Sequence, residues 1–243
     1  MTPRREHSFR ERHGTGPLVD PASVPAWLAP LVRASGELTV ADLTRHPPPP
    51  PGGGRPAAVL MLFGEDAKTG EPDVLLQRRA DELSSHAGQV SFPGGGLDPG
   101  DDGPVAAALR EAEEEVGVRA EDVRPVALLP DLYVPPSNFV VTPVVAYWEA
   151  PGPVSAVDPA ETAAVARVPL VVLADPANRL TVTGRPGWAF PAFLIPGMLV
   201  WGFTGGLVHA VLRMGGWERP WDVARVADLD TAWRLAEETG VSW

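Results

Sequence analysis

The sequence predicts a mixed α/β fold, and three features of its order do so. Apolar runs of strand length come first, one helix-patterned stretch follows them, and further strands and a late helix complete the chain. Strands that bunch on either side of the helix, instead of alternating with it, argue against strict βαβ repetition. No internal repeat is visible.

Taken in order, "VPAWLAPLVRA" near the amino terminus has the pattern of a short amphipathic helix. The stretch "HPPPPPGGG" (His46 to Gly54) reads as a stiff then flexible linker. The run Ala57–Phe63, "AAVLMLF", suits a buried strand, and "VLLQRR" (Val74–Arg79) suits a second, joined to it in a hairpin by the polar turn between them. "GPVAAALREAEEEVGV" is helical: alanine-rich, with Val105, Leu109, Ala112 and Val116 near helical spacing and Gly117 as its stop. "VRPVALLPDLYV" and "NFVVTPVVAYW" read as strands around the loop "PPSN", and "VPLVVLADPANR" as a short helix and turn. "WGFTGGLVHAVLR" and "LDTAWRLAEE" are predicted as the last two helices, and His209 in the first of them as a packed helix residue. The expected division is an accessory segment with a Pro/Gly linker over 1–54, the main domain over 55–215, and a carboxyl-terminal extension over 216–243. Removal of residues 1–50 is expected to leave the chemistry intact.

Composition removes several classes of function. With 243 residues and 44% hydrophobic content, the chain can bury a substantial core. The absence of cysteine excludes disulfides, thiolate metal sites and cysteine nucleophiles. A formal charge of −11 argues against nucleic acid as a partner, because a phosphate backbone needs a basic face. The amino terminus shows no signal-like apolar region. The most apolar stretch, Ala189 to Leu212, is interrupted by Pro191, Pro196 and several glycines, so it reads as a strand, turn and helix and not as a membrane span. A cytoplasmic protein without a membrane partner is expected.

The chemistry concentrates in "SFPGGGLDPGDDGPVAAALREAEEEVGV", Ser91 to Val118. On a helix, Glu111, Glu114 and Glu115 stand at i, i+3 and i+4 and share one face. Like charges so placed repel. Arg110, adjacent in sequence, is expected to point elsewhere on the helix and to be unable to neutralise the cluster alone. A solvated acidic face is one reading of the run. A hard divalent cation is the other, since Mg²⁺ and Mn²⁺ take oxygen ligands and tolerate substrate phosphates among them. The preceding glycines allow close backbone approach and favour the second reading. A dinucleotide loop fits poorly, because "GGGLDPG" lacks G-x-G-x-x-G spacing and the carboxylates behind it would repel an unmetallated pyrophosphate.

The same stretch resembles the Nudix box, G-x5-E-x7-R-E-U-x-E-E-x-G-U, where U is aliphatic. Gly96 leads by five residues to Asp102, and seven more lead to "REAEEEVGV" from Arg110. Asp102, or Asp101 if the count starts at Gly95, stands where the family has a glutamate. The resemblance implies an α/β/α sandwich with a mixed sheet, and hydrolysis of a nucleoside diphosphate linked to another group. It implies Mg²⁺ or Mn²⁺ on Glu111, Glu114 and Glu115 with the Gly95 carbonyl, and Glu111 as a base toward water. It implies Arg110 as the residue that orients the glutamates by ion pairing, and Glu161 as a further carboxylate from outside the box, with Asp158 and Glu149 as rivals.

Upstream, "LLQRRADELSSHAGQVSFPGG" resembles the signature of the coenzyme A pyrophosphatase subfamily at Leu75, Leu76, Arg79, Ala80, His86, Gly88, Val90, Phe92, Pro93, Gly94 and Gly95, and departs from it at Gln77 and Ser84. Later segments also resemble that subfamily, so the similarity runs from about Ala57 to Arg213. Coenzyme A or an acyl ester is therefore the expected small-molecule substrate. ADP-ribose, NADH or an oxidised nucleotide is the alternative, and a non-catalytic binding module a third reading. Arg78 or Arg79 would meet phosphate, only one of them facing inward because neighbours on a strand point oppositely, and the subfamily pattern favours Arg79. His86 either contacts phosphate or braces its loop. The stretch "SNF", Ser137 to Phe139, is a candidate lining of the pocket, although Ser137 and Asn138 are equally explained by their turn. The resemblance also allows a homodimer.

Overall fold

The computed structural model describes residues 14–44, 48–50, 53–80, 88–135, 137–184 and 189–239. His86 and part of the His46–Gly54 linker lie outside them. The strands are β1 (Gly16–Pro17), β2 (Arg55–Glu65), β3 (Pro72–Arg79), β4 (Val90–Ser91), β5 (Gly94–Gly96), β6 (Val123–Leu128), β7 (Leu132–Val134), β8 (Phe139–Trp148), β9 (Thr162–Pro169), β10 (Arg179–Thr183), β11 (Ala189–Ile195), β12 (Met198–Val200) and β13 (Val226–Asp228). The helices are α1 (Ala29–Ala34), α2 (Val40–Leu43), α3 (Pro104–Val116), α4 (Leu170–Ala174), α5 (Gly202–Met214) and α6 (Leu229–Glu238).

The main sheet is mixed. β2 runs parallel to β8 from Arg55 beside Phe139 to Phe63 beside Tyr147, all but its last two residues. Its other edge is shared. β5 pairs with its first half at Ala57, Ala58 and Val59, and β3 pairs with its end at Phe63, Gly64 and Glu65. The glycine run, expected as a loop, is thus a strand stitched into the sheet. β9 adds to β3, and β6 to β8. β9 was not foreseen, because "TAAVARVP" offers small residues and a proline in place of a strong apolar alternation.

Alternation along β2 builds a layer on each face, as period two requires when both faces are covered. Ala58, Leu60 and Leu62 pack with Ala107, Ala108, Ala112 and Val116 of α3. Met61 and Phe63 point the other way, into a core shared with Leu28, Leu31 and Val32 at the amino terminus and with Leu207, Val208 and Val211 of α5. The result is an α/β/α sandwich. Residues 16–43, read from the sequence as an accessory segment, supply three fully buried side chains to this core, and β1 pairs with β6.

A second sheet, in the order β12-β11-β10-β13, carries α6 on one face through Ala232 and Ala236. From its other face Phe193, Ile195 and Val200 join the main core. Ala189–Leu212 was expected as one strand, a turn and a helix, and forms two strands, β11 and β12, followed by α5; among the described residues no helix is long and apolar enough to cross a membrane.

Candidate active site

α3 starts and stops where the local chemistry allows. Gly103, at φ 89°, turns the chain into Pro104, whose fixed φ suits the first helical turn. Gly117, at φ 74°, takes the left-handed conformation at the other end, while the Val118 amide reaches back to the Ala112 carbonyl at 3.2 Å. The small residues Ala107, Ala108 and Ala112 let the helix lie close to β2. Positions 110, 111, 114 and 115 are thereby set toward β5 and the end of β3.

Arg110 corrects the expectation that it points away from the carboxylates. Its Nη1 donates to Glu111 Oε1 at 2.9 Å and to Glu114 Oε2 at 3.0 Å. Its Nη2 donates to the Gly96 carbonyl at 3.1 Å and to Asp101 Oδ2 at 3.0 Å, and its Nε to Asp101 Oδ1 at 3.1 Å. A side chain this long leaves in the direction of its own Cα yet returns to neighbours at i+1 and i+4. The bonds to Asp101 and Glu111 keep the guanidinium firmly protonated, and Arg110 in turn holds the Asp101 carboxyl below the usual range. Asp101 is therefore the acidic partner in the turn. Asp102 makes no such contact with Arg110.

Glu115 is held from the sheet side. Its Oε2 accepts from Gln77 Nε2 at 2.7 Å and from the Gly94 amide at 2.9 Å. Arg79 Nη1 stands 3.9 Å from its Oε1, and Arg79 Nε is buried with no hydrogen-bond partner among the described residues. Gln77 and Arg79 both reach Glu115, while Arg78 between them pairs through its backbone with Val90 and Ala164. Burial pushes the Glu115 carboxyl up, against the bonds from Gly94 and Gln77. Burial also pushes Glu111 up, against Arg110. A Cβ on Gly95 would lie 2.5 Å from the Glu111 carboxylate, so only glycine leaves room for that group.

Glu111 and Glu115 are thus partly buried oxygen donors, both pushed up by burial, and the Glu111 charge adds to the upward push on Glu115. One or two carboxylates completed by water and substrate phosphate are what Mg²⁺ ordinarily uses, so their chemistry fits a hard divalent ion. Glu114 differs: it is exposed and bound to Arg110. Among the described residues, no three His, Asp or Glu side chains stand together as a ready metal cage.

The other anticipated residues are more scattered. Glu161 is exposed in the turn before β9, where its carbonyl accepts from the Ala80 amide at 2.9 Å. Asp158 caps that turn through the Ala160 amide, and Glu149 lies 3.6 Å from Arg124. Ser137 Oγ donates to the Val134 carbonyl, and Asn138, at φ 55°, accepts from the Tyr133 hydroxyl at 3.1 Å, so both side chains serve their turn. Phe139, directly after them, lies 3.8 Å from where a Gly96 Cβ would be, with the Arg55 guanidinium 4.4 Å over its ring. Sequence reasoning did not single out Arg55 or Gln77 as neighbours of this cluster, whereas Phe139 was expected, with Ser137 and Asn138, as a pocket residue. His209 packs in α5 as expected, where its Nδ1 meets the buried Arg179 at 2.7 Å.

A glycine strand paired with β2, the acidic helix α3 and Arg79 of β3 come together here. The chain belongs to the Nudix family: the family model for the NUDIX domain matches residues 53–183, more than half of its length. It is 37% identical over 146 residues to the "Uncharacterized Nudix hydrolase NudL" of Photorhabdus laumondii, a match covering 59% of this chain and 77% of that one. A protein of the same description from Yersinia pestis is 52% identical over 75 residues, which is 31% of this chain and 37% of the relative. Among solved structures, a Nudix hydrolase from M. smegmatis, RenU, is 26% identical with a TM-score of 0.39, covering 48% of this chain and 71% of that one. A MutT/nudix family protein from Enterococcus faecalis is 15% identical with a TM-score of 0.45, covering 70% and 63%. Nudix hydrolases act on pyrophosphate bonds in nucleoside diphosphate derivatives and generally use divalent metal ions.

Proposed function

We propose that the protein hydrolyses the pyrophosphate bond of coenzyme A or its acyl esters, giving 3′,5′-ADP and 4′-phosphopantetheine or its acylated form. The observation that carries this reading is the meeting of Arg79 with Glu115. β3 brings the arginine of the coenzyme A pyrophosphatase-like stretch to within 3.9 Å of the acidic helix, with its Nε left over for an anion. A guanidinium is well matched to phosphate oxygens, and an unbonded buried donor is costly until something accepts from it.

Glu111 and Glu115, with Glu114 and the Gly95 carbonyl, would hold Mg²⁺ or Mn²⁺, which when bound acidifies water and screens phosphate charge. The chain's own residues do the rest. The side-chain-free edge of β5 lets phosphate approach the backbone, and Arg79 orients it. Glu111, with Oε1 engaged by Arg110, keeps Oε2 for the proton of the attacking water. Water oxygen bonds to one phosphorus, the bridging P–O bond breaks, and the displaced phosphate leaves as a monoester. Arg55 over Phe139 flanks Gly96 and offers a flat cationic surface to the base of the substrate.

Mass spectrometry of products from coenzyme A, acetyl-coenzyme A, ADP-ribose and NADH, with Mg²⁺ and Mn²⁺, tests the reading. The two coenzyme A substrates should turn over fastest and yield 3′,5′-ADP. Much faster cleavage of ADP-ribose would move the assignment to that substrate, and no turnover of any of the four would favour a binding module.

A further inference from the structure

Gln77 is only 1% exposed, and its closest functional partner, Glu115, is 38 residues away in the sequence. A buried amide is costly unless both of its ends are bonded, and here both are. The Thr162 hydroxyl, also buried, donates to Gln77 Oε1 at 3.2 Å, and Gln77 Nε2 donates to Glu115 Oε2 at 2.7 Å. An ionised carboxylate only accepts, so the amide nitrogen must face Glu115, and the Thr162 hydroxyl, able to donate, is left to the amide oxygen. The Gly94 amide donates to the same carboxylate oxygen at 2.9 Å. Oε2 therefore receives two donors, whereas Oε1, among the described residues, has Arg79 at 3.9 Å, beyond hydrogen-bond length. Glu115 cannot rotate without breaking both bonds, so one of its oxygens is committed to the sheet and, among the described residues, the other accepts no hydrogen bond.

We propose that Gln77, braced by Thr162, is a positioning residue that holds Glu115 so that Oε1 alone is offered to a divalent cation. This rests on the metal-dependent reading above. It gives a buried glutamine in β3 a task within the site, since a ligating carboxylate that loses its supporting hydrogen bond typically loses metal affinity by about 10–100-fold.

The test is Mn²⁺ binding to the full chain without substrate, measured from the free-ion electron paramagnetic resonance signal. Gln77→Leu should weaken binding about tenfold while the thermal transition stays cooperative. Thr162→Val, which removes the bond that braces the amide oxygen, should weaken it in the same direction, and the double variant should add nothing to Gln77→Leu. Saturating Mn²⁺ should restore most of kcat in Gln77→Leu with the substrate KM little changed. A folded Gln77→Leu that binds Mn²⁺ within about twofold of the wild type overturns the proposal. If Gln77→Leu does not fold, unchanged affinity in Thr162→Val overturns it instead, and weakened affinity supports it. Equal binding by wild type and Glu115→Gln would overturn the metal reading itself, and the proposal with it.

Discussion

Glu114 and Glu115 are neighbours in sequence and meet different surroundings. Glu115 is partly buried and tied to Gln77 and Gly94, whereas Glu114 is exposed and bound to Arg110. Glu115→Gln should lower kcat by roughly a hundredfold or more, equivalent to about 2.7 kcal/mol of transition-state stabilisation, and Glu114→Gln should cost clearly less. Steady-state kinetics on the preferred substrate would check the ratio. Asp101→Asn should loosen Arg110, costing about 1–3 kcal/mol as a charged hydrogen bond is lost, while Asp102→Asn should leave the urea midpoint in place. Spacing alone could not separate these two aspartates, because either satisfies the motif's count and only the guanidinium chooses. It could not reveal Gln77 either, whose partners Glu115 and Thr162 are 38 and 85 residues away. The misjudged direction of Arg110 has a similar origin. Helical periodicity tells where a Cα faces, not how far a long side chain bends back.

Two adjacent glycines of β5 make separable predictions about elements. A Cβ at Gly94 would sit 2.3 Å from the Ala58 carbonyl, and φ there is +156°. Gly94→Ala should therefore force β5 off β2 and abolish a cooperative melt. At Gly95 the obstruction is the Glu111 side chain, which can move. Gly95→Ala should keep its melting temperature within a few degrees while losing most activity, a contrast that calorimetry beside kinetics would reveal. α3 was legible because its signals are local: Pro104, an alanine face and Gly117 lie within one stretch. β5 was not, since three glycines carry no side-chain pattern and its strand character comes wholly from pairing with Ala57–Val59.

At the scale of the whole molecule, the amino-terminal segment and the second sheet share a core with the main sheet. Leu28, Leu31 and Val32 are fully buried, and each apolar side chain of this size contributes about 1.5–3 kcal/mol. A chain beginning near residue 45 should therefore fail to give a cooperative circular dichroism melt, contrary to what the proline-rich linker suggests. Such integration is invisible locally, because the apolar face of a short helix does not say which surface it meets. The second sheet also carries a pH dependence. Burial, and then the Arg179 guanidinium, hold the His209 imidazole below its ordinary value. The folded state disfavours the proton that the unfolded chain accepts near pH 6.5. Stability is then full above that pH and falls as pH drops below it. Replacing His209 with glutamine should flatten the urea midpoint between pH 7 and pH 5.5.

Every N–H of the Arg110 guanidinium is spoken for by Asp101, Glu111, Glu114 or the Gly96 carbonyl. The acidic face is thus organised by a covalent part of the chain, and an exchangeable ion need not be present for it to form. On the metal-dependent reading, assembly and activation become separate events: the acidic face forms first and the ion is supplied afterwards. Treatment with a chelator should silence the enzyme reversibly while its circular dichroism spectrum stays unchanged.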